Sequence, residues 1–157
     1  LTAGKGYGID DPGGGLVAAC AVTEYGPPGR PVLAAVGMVL VAAQHARRGV
    51  GRGLMRHIVS TMGPTPLAVH ATPSGQPLYE ELGFKVIGSA ETVRGRFSPG
   101  GPPSPTDTRA ATPDDLTAVL RLDGEVFGAD RTHILARLPA FADRFRVAEE
   151  NGRLIGY

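Results

Sequence analysis

Between positions 39 and 55 the chain reads Val39-Leu40-Val41-Ala42-Ala43-Gln44-His45-Ala46-Arg47-Arg48-Gly49-Val50-Gly51-Arg52-Gly53-Leu54-Met55. An apolar strand there gives way to a basic, glycine-rich loop and then to a helical pattern. Backbone N–H groups at a helix start lack partners and the helix dipole is positive, so such a loop can hold a pyrophosphate. Glycines 49, 51 and 53 leave the backbone open to a bulky anion, and the arginines add charge-assisted hydrogen bonds. Competing phosphate motifs do not fit. No Gly-Lys-Ser/Thr closes the loop, and Leu54 stands where a dinucleotide fingerprint needs glycine.

The elements around these residues follow from periodicity. Leu16 to Tyr25 and Val32 to Val41 read as two strands of a hairpin around Gly26-Pro27-Pro28-Gly29. Leu54, Met55, Ile58, Val59 and Met62 form one helical face, ending at Gly63-Pro64. Leu67 to His70 is a short buried strand, and a second helix from Gly75 or Gln76 to Leu82 stops at Gly83. Phe84 to Ile87 and Glu91 to Phe97 are expected to be two closing strands. The result is a mixed α/β layer arrangement. Residues 98–106 carry a Pro/Gly-rich linker, Ser98-Pro99-Gly100-Gly101-Pro102-Pro103-Ser104-Pro105, expected to be extended. Beyond it, Thr112-Pro113-Asp114-Asp115 opens a helix, Asp130 caps a shorter one ended by Pro139, and two strands flank Glu149-Glu150-Asn151-Gly152. That last hairpin resembles the one at Gly8 to Ala18, with strand, acidic pair, glycine turn and strand in both, so it is either a repeated element or common turn chemistry.

Composition narrows the class. The 157 residues are 42% hydrophobic and 20% charged, with 23 Gly, 14 Pro and one Cys, and the net charge is +1. These values fit a globular protein and leave no room for two full domains. Cys20, in an apolar run, is read as a buried strand residue, and neither an internal disulfide nor a metal site is expected. The longest apolar stretches are too short to span a bilayer, and no leader segment opens the chain at Leu1, so a cytoplasmic protein is expected, with no membrane partner. Arg47, Arg48, Arg52 and Arg56 fall within ten positions with no acid among them. With 6% aromatics and no Trp, this cluster is a local anion site and not a nucleic-acid surface.

Arg48-Gly49-Val50-Gly51-Arg52-Gly53 resembles the Arg/Gln-x-x-Gly-x-Gly/Ala motif of the GNAT superfamily of N-acetyltransferases, and Tyr79-Glu80-Glu81-Leu82-Gly83-Phe84 resembles its later Tyr-x-x-x-Gly-Phe signature. The resemblance covers about residues 5 to 97. It implies a central mixed, mostly antiparallel sheet flanked by helices, and transfer of an acetyl group from acetyl-CoA, as co-substrate, to a primary amine. Val39, Leu40 and Val41 would offer backbone groups to the pantetheine arm. Arg47, Arg48, Gly49, Val50, Gly51, Arg52 and Gly53 would hold the pyrophosphate, and Tyr79 would be the general acid on the departing thiolate. A small-molecule amine is the expected acceptor, and a homodimer is compatible with the family.

The general base is left open. The central strand holds no acid, and Glu24 and His70 are the substitutes, while His45 is read as phosphate-adjacent; Thr72 and Ser74 stand where many relatives have an Asn. The fold's usual opening strand and helices are missing ahead of Leu1, and residues 107–157 resemble that opening portion. The chain is therefore expected to be residues 1–97 of one such domain joined to the start of a second in a tandem protein, or else a permuted single domain. The rival function is a non-catalytic acyl-CoA-binding or regulatory module.

Overall fold

The computed structural model describes residues 4–96 and 108–157, and the chain divides into two compact units, one ending at Glu91 and one beginning at Thr92. The expected linker, residues 98–106, lies outside the described residues.

The first unit begins with three antiparallel strands, β1 (Lys5–Asp10), β2 (Leu16–Tyr25) and β3 (Leu33–Val41). Asp11 shapes the first turn: its carboxylate accepts the Gly13 N–H at 2.8 Å, and Gly14 and Gly15 follow with positive φ that other residues would resist. Helix α1 (Val50–Met62) then crosses over, and β4 (Leu67–Val69) pairs parallel to β3, giving the sheet order β1-β2-β3-β4. A parallel pair needs such a crossover. The spacing that predicts the helix also supplies its buried face: Leu54, Met55, Ile58 and Met62 pack on Ala18, Cys20, Val22, Ala34 and Val36 of the sheet. Burying Met55 and Ile58 completely contributes about 1.5–3 kcal/mol each. A short helix, α2 (Gln76–Glu81), closes the regular part, with the Thr72 hydroxyl accepting the Gly75 N–H at 3.2 Å ahead of it.

The two closing strands expected over 84–87 and 91–97 do not form among the described residues. Phe84 to Arg96 has no regular secondary structure, and Val86, Ile87 and Val93 are 66%, 97% and 87% exposed. Apolar, β-branched residues favour a strand only where a neighbouring edge can take their hydrogen bonds. The three-residue β4 pairs with β3, and among the described residues no ladder forms on its other side. Phe84 is anchored, its N–H donating to the Tyr79 carbonyl at 3.0 Å and its ring meeting that of Tyr79 edge-on.

The second unit contains β5 (Thr108–Ala110), α3 (Leu116–Phe127), α4 (Thr132–Leu135), α5 (Leu138–Phe141), β6 (Arg146–Glu150) and β7 (Arg153–Gly156), with the antiparallel order β5-β6-β7. Its helix start is a capping box. The Asp115 carboxylate accepts the Thr112 N–H at 2.7 Å, and Arg109 grips the same carboxylate through two 2.7 Å bonds. Pro139, expected to end the second helical stretch, instead sits in the first turn of α5, where its missing N–H costs nothing. Asn151 and Gly152 both have positive φ, the conformation a two-residue hairpin turn needs.

Candidate active site

The cleft in the first unit arises because β3 and β4 pair over only three residues, Ala34–Val36 with Leu67–Val69, and then part. The opening is about 740 Å³ and runs from Val36 to Val41 along β3, past Val69 and His70 at the end of β4, to α2 and the start of α1.

At the point of parting, β3 bulges. Ala21 pairs with Gly37 and Ala19 with Leu40, so Met38 and Val39 together face the single residue Cys20. Met38 has φ of 52°, in the left-handed region that an unbranched side chain can occupy at a cost. A bulge takes backbone groups out of the ladder, and here Gly37, Met38 and Val39 line the cleft. The sequence reading treated this strand as regular and missed the bulge. Its signal was Gly37, a glycine inside a strand pattern.

At the other end a glycine–arginine loop leads into α1. Arg47 and Gly49 have φ of 58° and 80°. The Gly53 N–H donates back to the Gly49 carbonyl at 2.9 Å, so the N–H groups of Val50, Gly51 and Arg52 precede the first helical donor. A thirteen-residue helix behind them adds its dipole. Arg47, Gly49, Val50, Gly51 and Arg52 line the cleft, as do Val39, Leu40 and Val41. Arg48 and Gly53 are not among its lining residues, and the Gly53 amide is already engaged. A Cβ added to Gly51 would meet Val41 at 3.4 Å and Leu78 at 3.8 Å, so any larger side chain there must turn into the cleft or displace those neighbours. These features fit a ligand with a pyrophosphate at one end and an extended arm.

Tyr79 projects from α2 with 8% of its surface exposed, and it both lines the cleft and joins the core cluster. Burial, helped by the nearby Cys20, pushes its phenol above the ordinary value, so it stays protonated and available as a donor. Cys20 is buried as expected, and burial raises its thiol likewise. Two side-chain contacts frame the site. The Arg52 guanidinium donates to Glu81 at 2.5 Å, joining the start of α1 to the end of α2, and the His45 ring lies 3.3 Å from the Asp11 carboxylate in the first turn.

Several other titratable side chains fall elsewhere. Glu24 pairs across from Ala34, where β3 and β4 are still joined, and accepts the Lys5 ammonium at 2.7 Å. His57 lies on α1 against the edge of Tyr7, and His133 lies in α4. Among the described residues no His, Cys, Asp or Glu group could hold a metal ion, and no helix is long and apolar enough to cross a membrane.

Residues 21–97 match the model of the acetyltransferase (GNAT) domain. The uncharacterized N-acetyltransferase YitH of Bacillus subtilis (strain 168) is 27% identical over 157 residues, covering 98% of this chain, and the chain spans about half, 54%, of that relative's length. Similar solved structures include an acetyltransferase of Trypanosoma brucei, with 17% identity and a TM-score of 0.49 over 59% of this chain and 69% of that one. Another is a ribosomal-protein-alanine N-acetyltransferase of Brucella melitensis biovar Abortus 2308, with 19% identity and a TM-score of 0.47 over 59% and 71%. The parted strands, the glycine–arginine helix start and the tyrosine that lines the cleft thus all lie within residues 21–97, the stretch that matches the acetyltransferase (GNAT) domain model.

Proposed function

We propose that the chain is an N-acetyltransferase that uses acetyl-CoA as donor and a primary amine, a small molecule, as acceptor. The observation that carries this reading is the continuity of the cleft, from the unpaired amides at the start of α1 to the bulge at Met38 with Tyr79 lining the same opening. Val50, Gly51 and Arg52, with Arg47, would bind the pyrophosphate, and Val39 to Val41 would take the pantetheine arm along β3. Backbone groups freed at Met38 and Val39 would hydrogen-bond the thioester carbonyl as charge builds on its oxygen. As the amine nitrogen bonds to the carbonyl carbon and the carbon–sulfur bond breaks, the Tyr79 hydroxyl would give its proton to the leaving sulfur. A second GNAT-like domain beginning in residues 107–157 is proposed with it; it rests on the β5-α3-α4-α5-β6-β7 order, with helices between the first two strands.

The test is a calorimetric titration of acetyl-CoA into the whole chain, beside Gly51→Glu. Micromolar binding that the variant loses, roughly 100-fold or more, is the expected result. An intact, folded chain that binds no acetyl-CoA would sink the reading. Tyr79→Phe then separates enzyme from binding module: turnover should fall while affinity for acetyl-CoA holds.

A further inference from the structure

We infer that His70 is the general base that takes the proton from the incoming ammonium, an assignment that rests on the transferase reading above. Three side chains competed for this role, and the fold separates them. Glu24 sits beside the closed part of the β3–β4 pair and is held by Lys5. His45 belongs to the phosphate end of the cleft and is held by Asp11. His70 follows Val69, the last paired residue of β4, whose partner on β3 is Val36. It therefore stands where the strands part, level with Gly37 and the Met38 bulge, and its exposed side chain lines the same opening as Tyr79.

The placement gives a complete proton route. An amine reaches neutral solution protonated and cannot attack until it loses that proton. Imidazole is the side chain suited to accept it near neutrality. The freed nitrogen lone pair forms the carbon–nitrogen bond, the carbon–sulfur bond breaks, and Tyr79 protonates the sulfur. The extra proton on the new amide nitrogen passes through water to the Tyr79 phenolate, and the His70 imidazolium releases its proton to solvent. One amide, one thiol and one proton result from an ammonium and a thioester. Acid and base thus come from different elements, α2 and the end of β4, on one cleft.

Two nucleophiles isolate this step. Hydroxylamine is already neutral at pH 7, whereas propylamine is protonated and needs the base. Thiol release above the enzyme-free rate is measured with each for the wild-type chain, His70→Gln and Glu24→Gln, after acetyl-CoA binding has been established by calorimetry. The propylamine-to-hydroxylamine turnover ratio should fall roughly 100-fold in His70→Gln and stay at the wild-type value in Glu24→Gln. An unchanged ratio in His70→Gln overturns the assignment while leaving the transferase reading standing. Acetyl-CoA binding with transfer to neither nucleophile also overturns it. Absence of acetyl-CoA binding removes the transferase reading itself, and this proposal with it.

Discussion

The two units are stabilised by different physics. The first rests on a cluster of ten buried side chains, from Ala18 through Met62 to Tyr79, and none of them is ionised. Among the described residues the second has a buried apolar cluster of Val119, Val147 and Leu154, and around it two shielded carboxylates carry tertiary contacts. Asp123, 3% exposed, accepts a guanidinium fork from Arg131 and the hydroxyl of Tyr157, which ties α3 to α4 and to the residue after β7. Asp115 is gripped by Arg109 and caps the helix start. The lesson is that a cleft-forming sheet can part its strands because α1 supplies enough apolar burial behind it, whereas a small sheet with three helical pieces needs directed ionic bonds to fix them. Removing one partner from such a bond leaves the other charge stranded, so these contacts are costly to break even where they add little net stability.

The largest effect that would test this contrast is Ile58→Ala. The fully buried side chain should cost about 2–5 kcal/mol in denaturant unfolding, with faster amide exchange in β2 and β3 and no change in β6 and β7. Asp123→Asn should do the reverse at about 3 kcal/mol, opening β6 and β7 to exchange while β2 and β3 keep their protection. If β6 and β7 stayed protected, the ionic account of the second unit would be wrong.

Acid sharpens the same comparison. Arg109 and the Thr112 amide hold the Asp115 carboxyl well below the usual carboxylate range, and Arg131 with Tyr157 lowers that of Asp123. Groups depressed in the fold contribute stability in full above the unfolded value, near pH 4, and lose it as pH falls through the folded value. Exchange protection corrected for intrinsic rate should therefore drop first in the second unit as pH is lowered from about 4. Equal loss in both units would refute the assignment. The smallest effect belongs to Arg52→Ala. Its pair with Glu81 is about half exposed, so stability should change by less than about 1 kcal/mol, while acetyl-CoA affinity falls about tenfold through the loss of one cleft-lining cation.

Most of the scaffold could be read from the chain because its signals are local. Turn glycines, the α1 face at Leu54, Ile58 and Met62, and the Thr112 cap each act within a few residues. The glycine–arginine loop at Arg47 to Gly53 was recognisable for the same reason, yet which of its members line the cleft was not: Arg48 and Gly53 are absent from the lining. Phe84 to Arg96 misled because its alternation describes a preference, and pairing depends on an edge elsewhere.

Residue order alone thus settled where most of the strands, turns and helices begin, though not the two expected closing strands, and that a glycine–arginine loop precedes a helix, since these depend on neighbours three or four positions apart. The tertiary structure decided the rest: that β3 and β4 part after Val36 and Val69, that the chain bulges at Met38, and that Glu24, His45 and His70 end in three different places. Those outcomes depend on strand register and on partners that lie nineteen or more residues away, such as Lys5 for Glu24 and Asp11 for His45. No periodicity encodes them, because they are fixed only when separate elements pack and compete for the same hydrogen bonds.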